Sequence, residues 1–263
     1  MTNQSKSGTI YLMGIGPGDP ELLTMQARKI LTEVDYVVGY SLYVNQVSEL
    51  TNNAILEHWA IGEELERAKR VIDLSADGNK VAMVSSGDIG IYGMSGPIFN
   101  ILSDMQWNGK TPQVIVIPGI SALQSASALL GSPLMQDFCT ISLSDLLTDW
   151  PDIQNRITTA SEGDFVVVFY NPKSKKRHWQ LEAAFDSLKK CRPLDTPVGL
   201  VKNAFREDQE VVLVTLSTVM NVYHQIDMFT TVVVGNSTSY LFEGKFITPR
   251  GYEKKSGKSD EKK

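Results

Sequence analysis

The sequence has few residues that could bind a metal ion or form a disulfide. Its 263 residues include only two cysteines, Cys139 and Cys191, and three histidines. Neither cysteine has the spacing of a zinc site or belongs to a disulfide framework. We therefore expect no metal centre, and a reducing, cytoplasmic compartment is the default expectation.

Long apolar runs and an excess of basic charge are also missing. No run reaches the roughly 20 apolar residues of a transmembrane helix, and the opening MTNQSKSG lacks the apolar core of a signal peptide. We expect no membrane association. The net charge of −5 argues against nucleic acid as a partner, because phosphate contacts need basic patches. With 42% hydrophobic residues, the chain can bury one large core or two modest ones.

In the first half of the chain, short β-branched runs alternate with amphipathic stretches. The patterns predict strands at 9–15, 35–38, 80–85 and 113–117. They predict a helix at 20–34 and a second helix on the stripe Ile61, Leu65, Ala68 and Ile72, ended by Gly78. This β-α-β order indicates a mainly parallel sheet covered by helices.

After Gly131 the pattern changes, with strands predicted at 138–143, 165–170, 198–202, 210–215 and 231–235. The clearest helical stripe there is Leu181, Ala184, Phe185 and Leu188. We predict an α/β fold with two α/β domains and mostly parallel or mixed sheets, joined near a helix at 121–130. The predicted divisions are a flexible N-terminus (1–8), an N-terminal domain (9–120), a C-terminal domain (121–250) and a disordered charged tail (251–263).

A glycine loop follows the first predicted strand. In Gly14-x-Gly16-x-Gly18-Asp19 the backbone can bend freely and approach a ligand closely. The dinucleotide fingerprint fails because Asp19 stands at its sixth position, and no phosphate-loop Gly-Lys-Ser/Thr is present. The loop suits a ligand that is neutral or cationic where it touches. The alternative is a tight strand-to-helix turn with Asp19 as N-cap before Pro20.

Two more small-residue loops follow strands of the same predicted sheet. SSGDIGIYG occupies 85–93 after one strand, and PGISA occupies 118–122 after another. In open α/β sheets, ligands bind at the carboxyl ends of the strands. The three loops together therefore predict one extended ligand cleft.

The stretches GIGPGDPELLT, SSGDIGIYGM and IPGISA resemble the tetrapyrrole methyltransferases, class III enzymes that use S-adenosylmethionine. The resemblance runs over about 9–252. ISLSDLLTDW, FYNPKSKKR and LVKNAFREDQ are similar to the branch that methylates C17 of precorrin-3B with ring contraction in cobalamin synthesis. Ile89 and Asp149 stand where the family usually has proline, and neither change removes a reactive group.

The resemblance implies a cleft between two α/β domains that holds S-adenosylmethionine and, after transfer, S-adenosyl-L-homocysteine. It implies a corrinoid substrate, either metal-free precorrin-3B or cobalt-factor III, and a homodimer. The expected cofactor-binding residues are Gly16, Pro17, Gly18, Asp19, Ser86, Gly87, Asp88, Ile91, Ser121, Ala122, Tyr170, Asn171 and Ala204.

Methyl transfer from a sulfonium needs alignment more than acid or base catalysis, because the donor is already activated. Ring contraction also needs a group that takes the proton of a hydroxyl on the meso carbon, either a general base or a bound water. The candidates are Asp88, Asp145 and His178, each with a plainer alternative: a cofactor contact or helix cap for Asp88, a helix cap for Asp145 and a surface position for His178.

Four residues are candidates for binding the substrate. Ser142 and Ser144 could donate hydrogen bonds to it, or could simply end a strand. Lys173 and Arg177 could pair with its carboxylates, or could belong to a solvated helix start.

Four alternative functions remain at this point. The chain could methylate another tetrapyrrole position, or modify RNA, which its acidic charge disfavours. It could be a nucleotide-binding oxidoreductase with a hydride cofactor, or a binding module without turnover.

Overall fold

Strands and helices alternate through the first half of the chain and build an open parallel sheet. The computed structural model describes residues 8–252, and the chain divides into two compact units, Met1–Ala122 and Leu123–Lys263. The strands of the first unit are β1 (Thr9–Gly14), β2 (Tyr36–Tyr40), β3 (Ile55–Trp59), β4 (Lys80–Ser85) and β5 (Gln113–Ile117). Its α-helices are α1 (Met25–Leu31), α2 (Ser41–Val47), α3 (Glu64–Ala76) and α4 (Ser95–Asp104), with 3-10 helices at Pro20–Leu22 and Ser48–Leu50.

All neighbouring strands of this sheet are parallel, in the order β3-β2-β4-β1-β5. Successive β1 residues pack on opposite faces: Leu12 joins the core under α3 and α4, and Met13 joins the core under α1 and α2. Both faces are therefore covered, which explains why the strands read as continuous apolar runs.

The second unit combines a mixed sheet with a small separate one. Its elements are α5 (Ala122–Leu130), β6 (Gly131–Ser132), β7 (Phe138–Ser142), α6 (Trp150–Glu162), β8 (Val166–Tyr170), α7 (Gln180–Leu188), β9 (Pro197–Lys202), β10 (Glu210–Thr215), a 3-10 helix at Val219–Gln225, β11 (Thr230–Val234), β12 (Tyr240–Phe242) and β13 (Lys245–Ile247). The larger sheet has the order β10-β9-β11-β8-β7, and β12, β13 and β6 form the smaller one. Along β8, Val167 and Phe169 pack under α6 and α7, while Val166 and Val168 pack under α5.

Two helix predictions are wrong in detail. The predicted helix at 20–34 is broken, because Leu23 is extended and the Thr24 side chain caps a new helix by accepting the Ala27 N–H at 3.2 Å. The second predicted helix includes Ile61, but α3 begins only at Glu64, after Gly62 with φ +97°. Ile61 therefore precedes the helix, and it is 75% exposed. The predicted end of that helix is confirmed: Gly78 has φ +92° and donates its N–H to the Ser75 carbonyl.

Several elements had no counterpart in the sequence-based prediction: α2, β3, α6 and the sheet of β6, β12 and β13. Residues 1–7 of the predicted flexible N-terminus (1–8) and residues 253–263 of the predicted tail (251–263) lie outside the described residues. Gly8 is described and buried, and its N–H donates to the Ser75 carbonyl at 3.1 Å. Within 8–252, no helix is both long and apolar enough to cross a membrane, and Cys139 and Cys191 are free thiols.

Candidate functional site

The three glycine loops of the first unit follow neighbouring strands. Strand β1 lies between β4 and β5, and Thr9 pairs with both Lys80 and Gln113. Because the strands are parallel and in register, their carboxyl ends reach the same edge of the sheet. The structure therefore brings together the loops at 14–19, 85–93 and 118–122.

The first two loops are joined backbone to backbone. The Gly16 N–H donates to the Gly87 carbonyl at 3.0 Å, and the Gly87 N–H donates to the Gly16 carbonyl at 2.7 Å. Both glycines have positive φ, +72° and +69°, a conformation that L side chains rarely adopt. The Ser86 hydroxyl also donates to the Gly16 carbonyl at 3.4 Å.

The closest approach in this region involves Gly14 and Gly119. A Cβ on Gly14 would lie 2.6 Å from the Gly87 carbonyl oxygen and 2.8 Å from the Gly119 nitrogen. A Cβ on Gly119 would overlap the Gly87 carbonyl oxygen and lie 2.7 Å from the Gly14 carbonyl carbon. All of these neighbours are backbone atoms, which cannot move aside as a flexible side chain could. The three loops can therefore meet only because Gly14 and Gly119 have no side chain.

Asp88 connects the second loop to the third. Its Oδ2 accepts the Gly119 N–H at 3.0 Å, and its Oδ1 accepts the Gly90 N–H at 2.8 Å. Both carboxylate oxygens thus hold the backbone of the loops. Asp19 adopts the predicted turn, because its Oδ1 accepts the Glu21 N–H at 2.8 Å and Pro20 begins the short 3-10 helix.

The other predicted cofactor residues of this unit lie on the same loops. Pro17 and Ser121 are buried, Gly18 and Ala122 are half-buried, and Ile91 is 37% exposed. A Cβ added to Gly87 would lie 3.5 Å from the Ser121 Cα and 3.7 Å from the Ala122 nitrogen. Gly87 therefore adjoins the turn that carries both residues. None of the three loops contains a lysine or an arginine.

In the second unit, the predicted residues follow three strands that run in the same direction. β7 and β8 are parallel, with Ser142 opposite Tyr170. β9 has the direction of β8, because both are antiparallel to β11. Ser142, Asn171 and Ala204 therefore lie at the same edge of this sheet. The Tyr170 hydroxyl accepts the Leu123 N–H at 2.9 Å, at the start of α5.

Asn171 is held in a left-handed backbone conformation, with φ +51°. Its side-chain Nδ2 donates to the Ser142 hydroxyl at 3.0 Å, and the Ser144 N–H donates to the same hydroxyl at 3.3 Å. Ser142 thus joins the ends of β7 and β8. Asparagine is among the few non-glycine residues that tolerate this conformation.

Arg177 is buried, with 7% exposure, rather than part of a solvated helix start. Its Nε donates to the Asn171 carbonyl at 3.1 Å, its Nη1 to the Ser144 hydroxyl at 3.5 Å and its Nη2 to the Met228 sulfur at 3.2 Å. Burial lowers the pKa of the Arg177 guanidinium, and the charge of Asp145 acts in the opposite direction. The Asp145 Oδ2 accepts a hydrogen bond from the Gln180 side chain at 2.7 Å.

Lys173 and His178 have different surroundings. The Lys173 ammonium donates to the Tyr223 carbonyl at 3.1 Å and lies 4.4 Å from the centre of the Tyr223 ring. His178 is exposed, and its backbone carbonyl accepts the Tyr223 hydroxyl hydrogen bond. Across the described part of the chain, no hydrogen bond joins the His178 imidazole to the network around Arg177.

Sequence reasoning missed three residues that contact the predicted site residues. Met228 contacts Arg177, Gln180 contacts Asp145, and Tyr223 contacts Lys173. All three come from segments distant from 141–145 along the chain, and none lies in a recognisable motif. Gln180 begins α7, Tyr223 lies in the last 3-10 helix and Met228 lies between that helix and β11, so only the fold brings them to these residues. Across 8–252, no group of three or more His, Cys, Asp or Glu side chains could hold a metal ion.

Comparison with known proteins gives consistent results. Residues 9–220 match the family model of the Tetrapyrrole (Corrin/Porphyrin) Methylases. The chain is 45% identical to the cobalt-factor III methyltransferase of Priestia megaterium, covering 94% of this chain and 46% of that protein. It is 44% identical to the probable cobalt-factor III C(17)-methyltransferase of Salmonella typhimurium, covering 92% of this chain and 99% of that protein.

A solved structure has the same fold. The crystal structure of the methyltransferase CobJ superposes with a TM-score of 0.86 and 31% identity, covering 92% of this chain and 100% of that one. This likeness confirms the predicted fold class.

Proposed function

This chain belongs to the tetrapyrrole (corrin/porphyrin) methylases, and we propose that it transfers a methyl group from S-adenosylmethionine to C17 of cobalt-factor III, with ring contraction. The family match favours methyl transfer over the alternative of a nucleotide-binding oxidoreductase. The cobalt-containing substrate is proposed over precorrin-3B because the two relatives described above carry that substrate in their names.

The observation that carries this proposal is the convergence of three glycine loops without a basic residue at one edge of the first sheet. S-adenosylmethionine, when bound, supplies a methyl group on a positively charged sulfur. Backbone carbonyls and the nearby carboxylates of Asp19 and Asp88 suit such a cation, whereas a phosphate would be repelled. The donor set therefore fits the cofactor.

The residues proposed to bind the cofactor keep the roles that the sequence predicted. In the first unit, Gly16 and Gly87 admit the ligand close to the backbone, and Asp88 fixes the loops rather than reacting. The proposed set is Gly16, Pro17, Gly18, Asp19, Ser86, Gly87, Asp88, Ile91, Ser121 and Ala122, with Tyr170, Asn171 and Ala204 of the second unit. Fixed placement of this kind lowers the barrier by orienting the reactants, which can be worth roughly 7–11 kcal/mol at best.

Of the three candidate bases, the geometry favours Asp145. Both oxygens of Asp88 accept backbone hydrogen bonds, and His178 is exposed. Asp145 uses Oδ2 to accept from Gln180, and Oδ1 has no hydrogen-bond partner within residues 8–252. We propose that this oxygen is the base of ring contraction and takes the proton of a hydroxyl on the meso carbon where the substrate carries one.

Arg177, Ser142 and Ser144 are proposed to bind the substrate. Arg177 makes no ion pair with a carboxylate of the described chain, so its guanidinium can pair with an acetate or propionate arm. Lys173 is proposed for the same role with its remaining N–H donors, while its contact with Tyr223 holds the side chain in place.

A homodimer in the cytoplasm is also part of the proposal. The dimer follows from the family resemblance, and the two free cysteines support a reducing compartment. Sedimentation velocity on the purified chain would test the dimer: a concentration-independent monomer would contradict it.

Calorimetric titration with S-adenosyl-L-homocysteine tests the methyltransferase first. We expect binding of this thioether, no binding of NADH, and loss of binding in Gly16→Arg. Binding of NADH without binding of the thioether would contradict the proposal.

Turnover with cobalt-factor III and with precorrin-3B then tests the substrate. A labelled methyl group from S-adenosylmethionine should appear at C17 in the NMR spectrum of the product. A label at another carbon would indicate that the chain methylates a different tetrapyrrole position.

The Asp145 assignment has its own test. Asp145→Asn should still transfer the methyl group but stop before ring contraction, which the absorption spectrum of the macrocycle detects. Asp152→Asn, an exposed acid in the first turn of α6, is the matched control and should leave both steps unchanged. Full contraction by Asp145→Asn would exclude Asp145 as the base.

A further inference from the structure

Two arginines on helix α3, Arg67 and Arg70, have guanidinium groups in opposite surroundings. Arg70 is partly exposed and pairs with Glu57 on β3. Its Nε lies 3.1 Å from both carboxylate oxygens, and its Nη2 lies 2.7 Å from one of them. The carboxylate therefore binds along the Nε–Nη2 edge of the guanidinium, the fork geometry that arginine favours.

The same edge of Arg67 has no such partner. Arg67 is 4% exposed, and its Nη1 donates to the Ala60 carbonyl at 3.3 Å. Its Nη2 donates to the Met94 sulfur at 3.2 Å, and the Glu64 carboxylate is 3.9 Å away. The Nε atom is buried and has no hydrogen-bond partner in residues 8–252.

These surroundings leave a buried cation only partly compensated. A thioether is a weak acceptor, and a buried charge is unfavourable unless it is paired and hydrogen-bonded. Burial lowers the pKa of the Arg67 guanidinium, and the charge of Glu64 opposes that effect. An anion at the Nε–Nη2 edge would satisfy both atoms.

Arg67 lies at the edge of the sheet where the glycine loops lie. Ala60 directly follows β3, and Met94 directly follows the loop 85–93 that begins at the end of β4. The carboxyl end of β2, between these strands, carries Tyr40, whose ring packs edge-on against Tyr43 with centroids 5.2 Å apart. A ligand that occupies the glycine loops would thus lie near this guanidinium.

We propose, resting on the proposed function, that Arg67 binds a carboxylate of the ligand held at this edge. The carboxylate takes the place of the Met94 sulfur at Nη2 and supplies the partner that Nε lacks. Two sources carry this group: an acetate or propionate arm of the tetrapyrrole, and the amino-acid end of S-adenosylmethionine.

Calorimetric titration of the full chain with three probes tests the assignment and separates the two sources. S-adenosyl-L-homocysteine has the amino-acid carboxylate, methylthioadenosine lacks it, and uroporphyrin III carries the acetate and propionate arms. The variants are Arg67→Lys, which keeps the charge but loses the Nε–Nη2 edge, and Arg67→Met. Arg70→Lys and Arg70→Met on the same helix are the matched controls.

We expect the Arg67 variants to bind one carboxylate probe about ten- to a hundredfold more weakly, as for a lost hydrogen-bonded charge contact. Weakened uroporphyrin III binding would identify a macrocycle arm, and weakened S-adenosyl-L-homocysteine binding would identify the cofactor carboxylate. Methylthioadenosine binding and both controls should stay within about twofold of the wild type. Arg67→Met should unfold at the same or a higher temperature, because replacing a buried, only partly compensated charge by an apolar group relieves its desolvation.

Two outcomes would overturn the assignment while leaving the proposed function intact. Folded Arg67 variants could keep wild-type affinity for both carboxylate probes. They could also lose affinity for methylthioadenosine together with affinity for the other probes, which would indicate a structural role for Arg67. If the wild-type chain binds neither S-adenosyl-L-homocysteine nor uroporphyrin III, the proposed function and the Arg67 assignment both fail.

Discussion

At the residue scale, Gly119 shows how strongly one position depends on having no side chain. A methyl group there would overlap the backbone of Gly87 and Gly14. We expect Gly119→Ala to lower the free energy of unfolding by about 1–3 kcal/mol, as for other overpacked sites. It should also abolish binding of S-adenosyl-L-homocysteine, because the three loops are forced apart. Thermal unfolding and calorimetric titration measure the two effects.

Gly96→Ala is the matched control for that change. Gly96 lies in α4, and a Cβ there would meet no atom within 4 Å. Alanine is favoured over glycine inside a helix by about 0.8–1 kcal/mol, so this variant should be slightly stabilised and should bind the ligand normally. Equal stability of the two variants would contradict the packing described at Gly119.

Two variants at Asn171 distinguish the effect of backbone strain from the effect of the side-chain hydrogen bond. Asn171→Gly keeps access to φ +51° but loses the bond to Ser142, whereas Asn171→Ala loses the bond and also disfavours the backbone conformation. We expect alanine to be less stable than glycine by about 1 kcal/mol, the cost of a left-handed residue with a Cβ. Urea unfolding of the two variants measures the difference, and a more stable alanine variant would refute it.

At the scale of elements, the Thr24 cap decides where α1 begins. Its hydroxyl accepts the Ala27 N–H, so Thr24→Ala should lower the free energy of unfolding by about 1 kcal/mol. Asp149, the N-cap of α6, makes no side-chain cap hydrogen bond. Asp149→Ala should therefore lower the free energy of unfolding by only about 0.3 kcal/mol, because it removes a negative charge at the helix N-terminus. Urea unfolding measures the stability loss of each variant. A larger loss for Asp149→Ala than for Thr24→Ala would contradict the cap assignments.

At the scale of the whole molecule, ligand binding and folding are linked. S-adenosyl-L-homocysteine at a hundred times its Kd should stabilise the chain by about 2.7 kcal/mol, because it binds only the folded state. For a chain of this size, that corresponds to a rise in Tm of about 5–10 °C. Differential scanning calorimetry with and without the ligand measures the shift. An unchanged Tm for the wild type, or an equal rise for Gly119→Ala, would contradict the placement of the ligand at the glycine loops.

The net charge of −5 matters at the same scale. A tetrapyrrole with several carboxylates is also negative, so long-range attraction cannot bring it to this chain. Recognition must come from local, buried cations, and Arg177 and Arg67 are the groups proposed here. Arg177 lies in the basic run 173–177, which gave an indication of that role, whereas Arg67 lies in a helix whose acidic and basic residues balance.

The family, the fold class and most of the strands could be predicted from the amino-acid sequence. Buried parallel strands are short, continuous apolar runs bounded by glycine loops, and such local patterns are visible without the fold. The predicted bounds of β4, β5 and β10 match the structure to the residue. Gly16 was visible because glycine loops after strands are a local pattern, whereas Asp88 and Asn171 were indicated by the resemblance to the family's motifs.

Which of those residues lie together is visible only in the folded chain. Asp88 is assigned to hold Gly119, and Arg177 proves buried, because strands distant along the chain end at the same edge. The break at Thr24 and the late start of α3 were missed because apolar periodicity continues through both boundaries, while caps and glycine backbone angles set them. Nothing in the sequence singled out Arg67, because its burial arises from the packing of α3 in the folded chain, which leaves its Nε without a hydrogen-bond partner within residues 8–252.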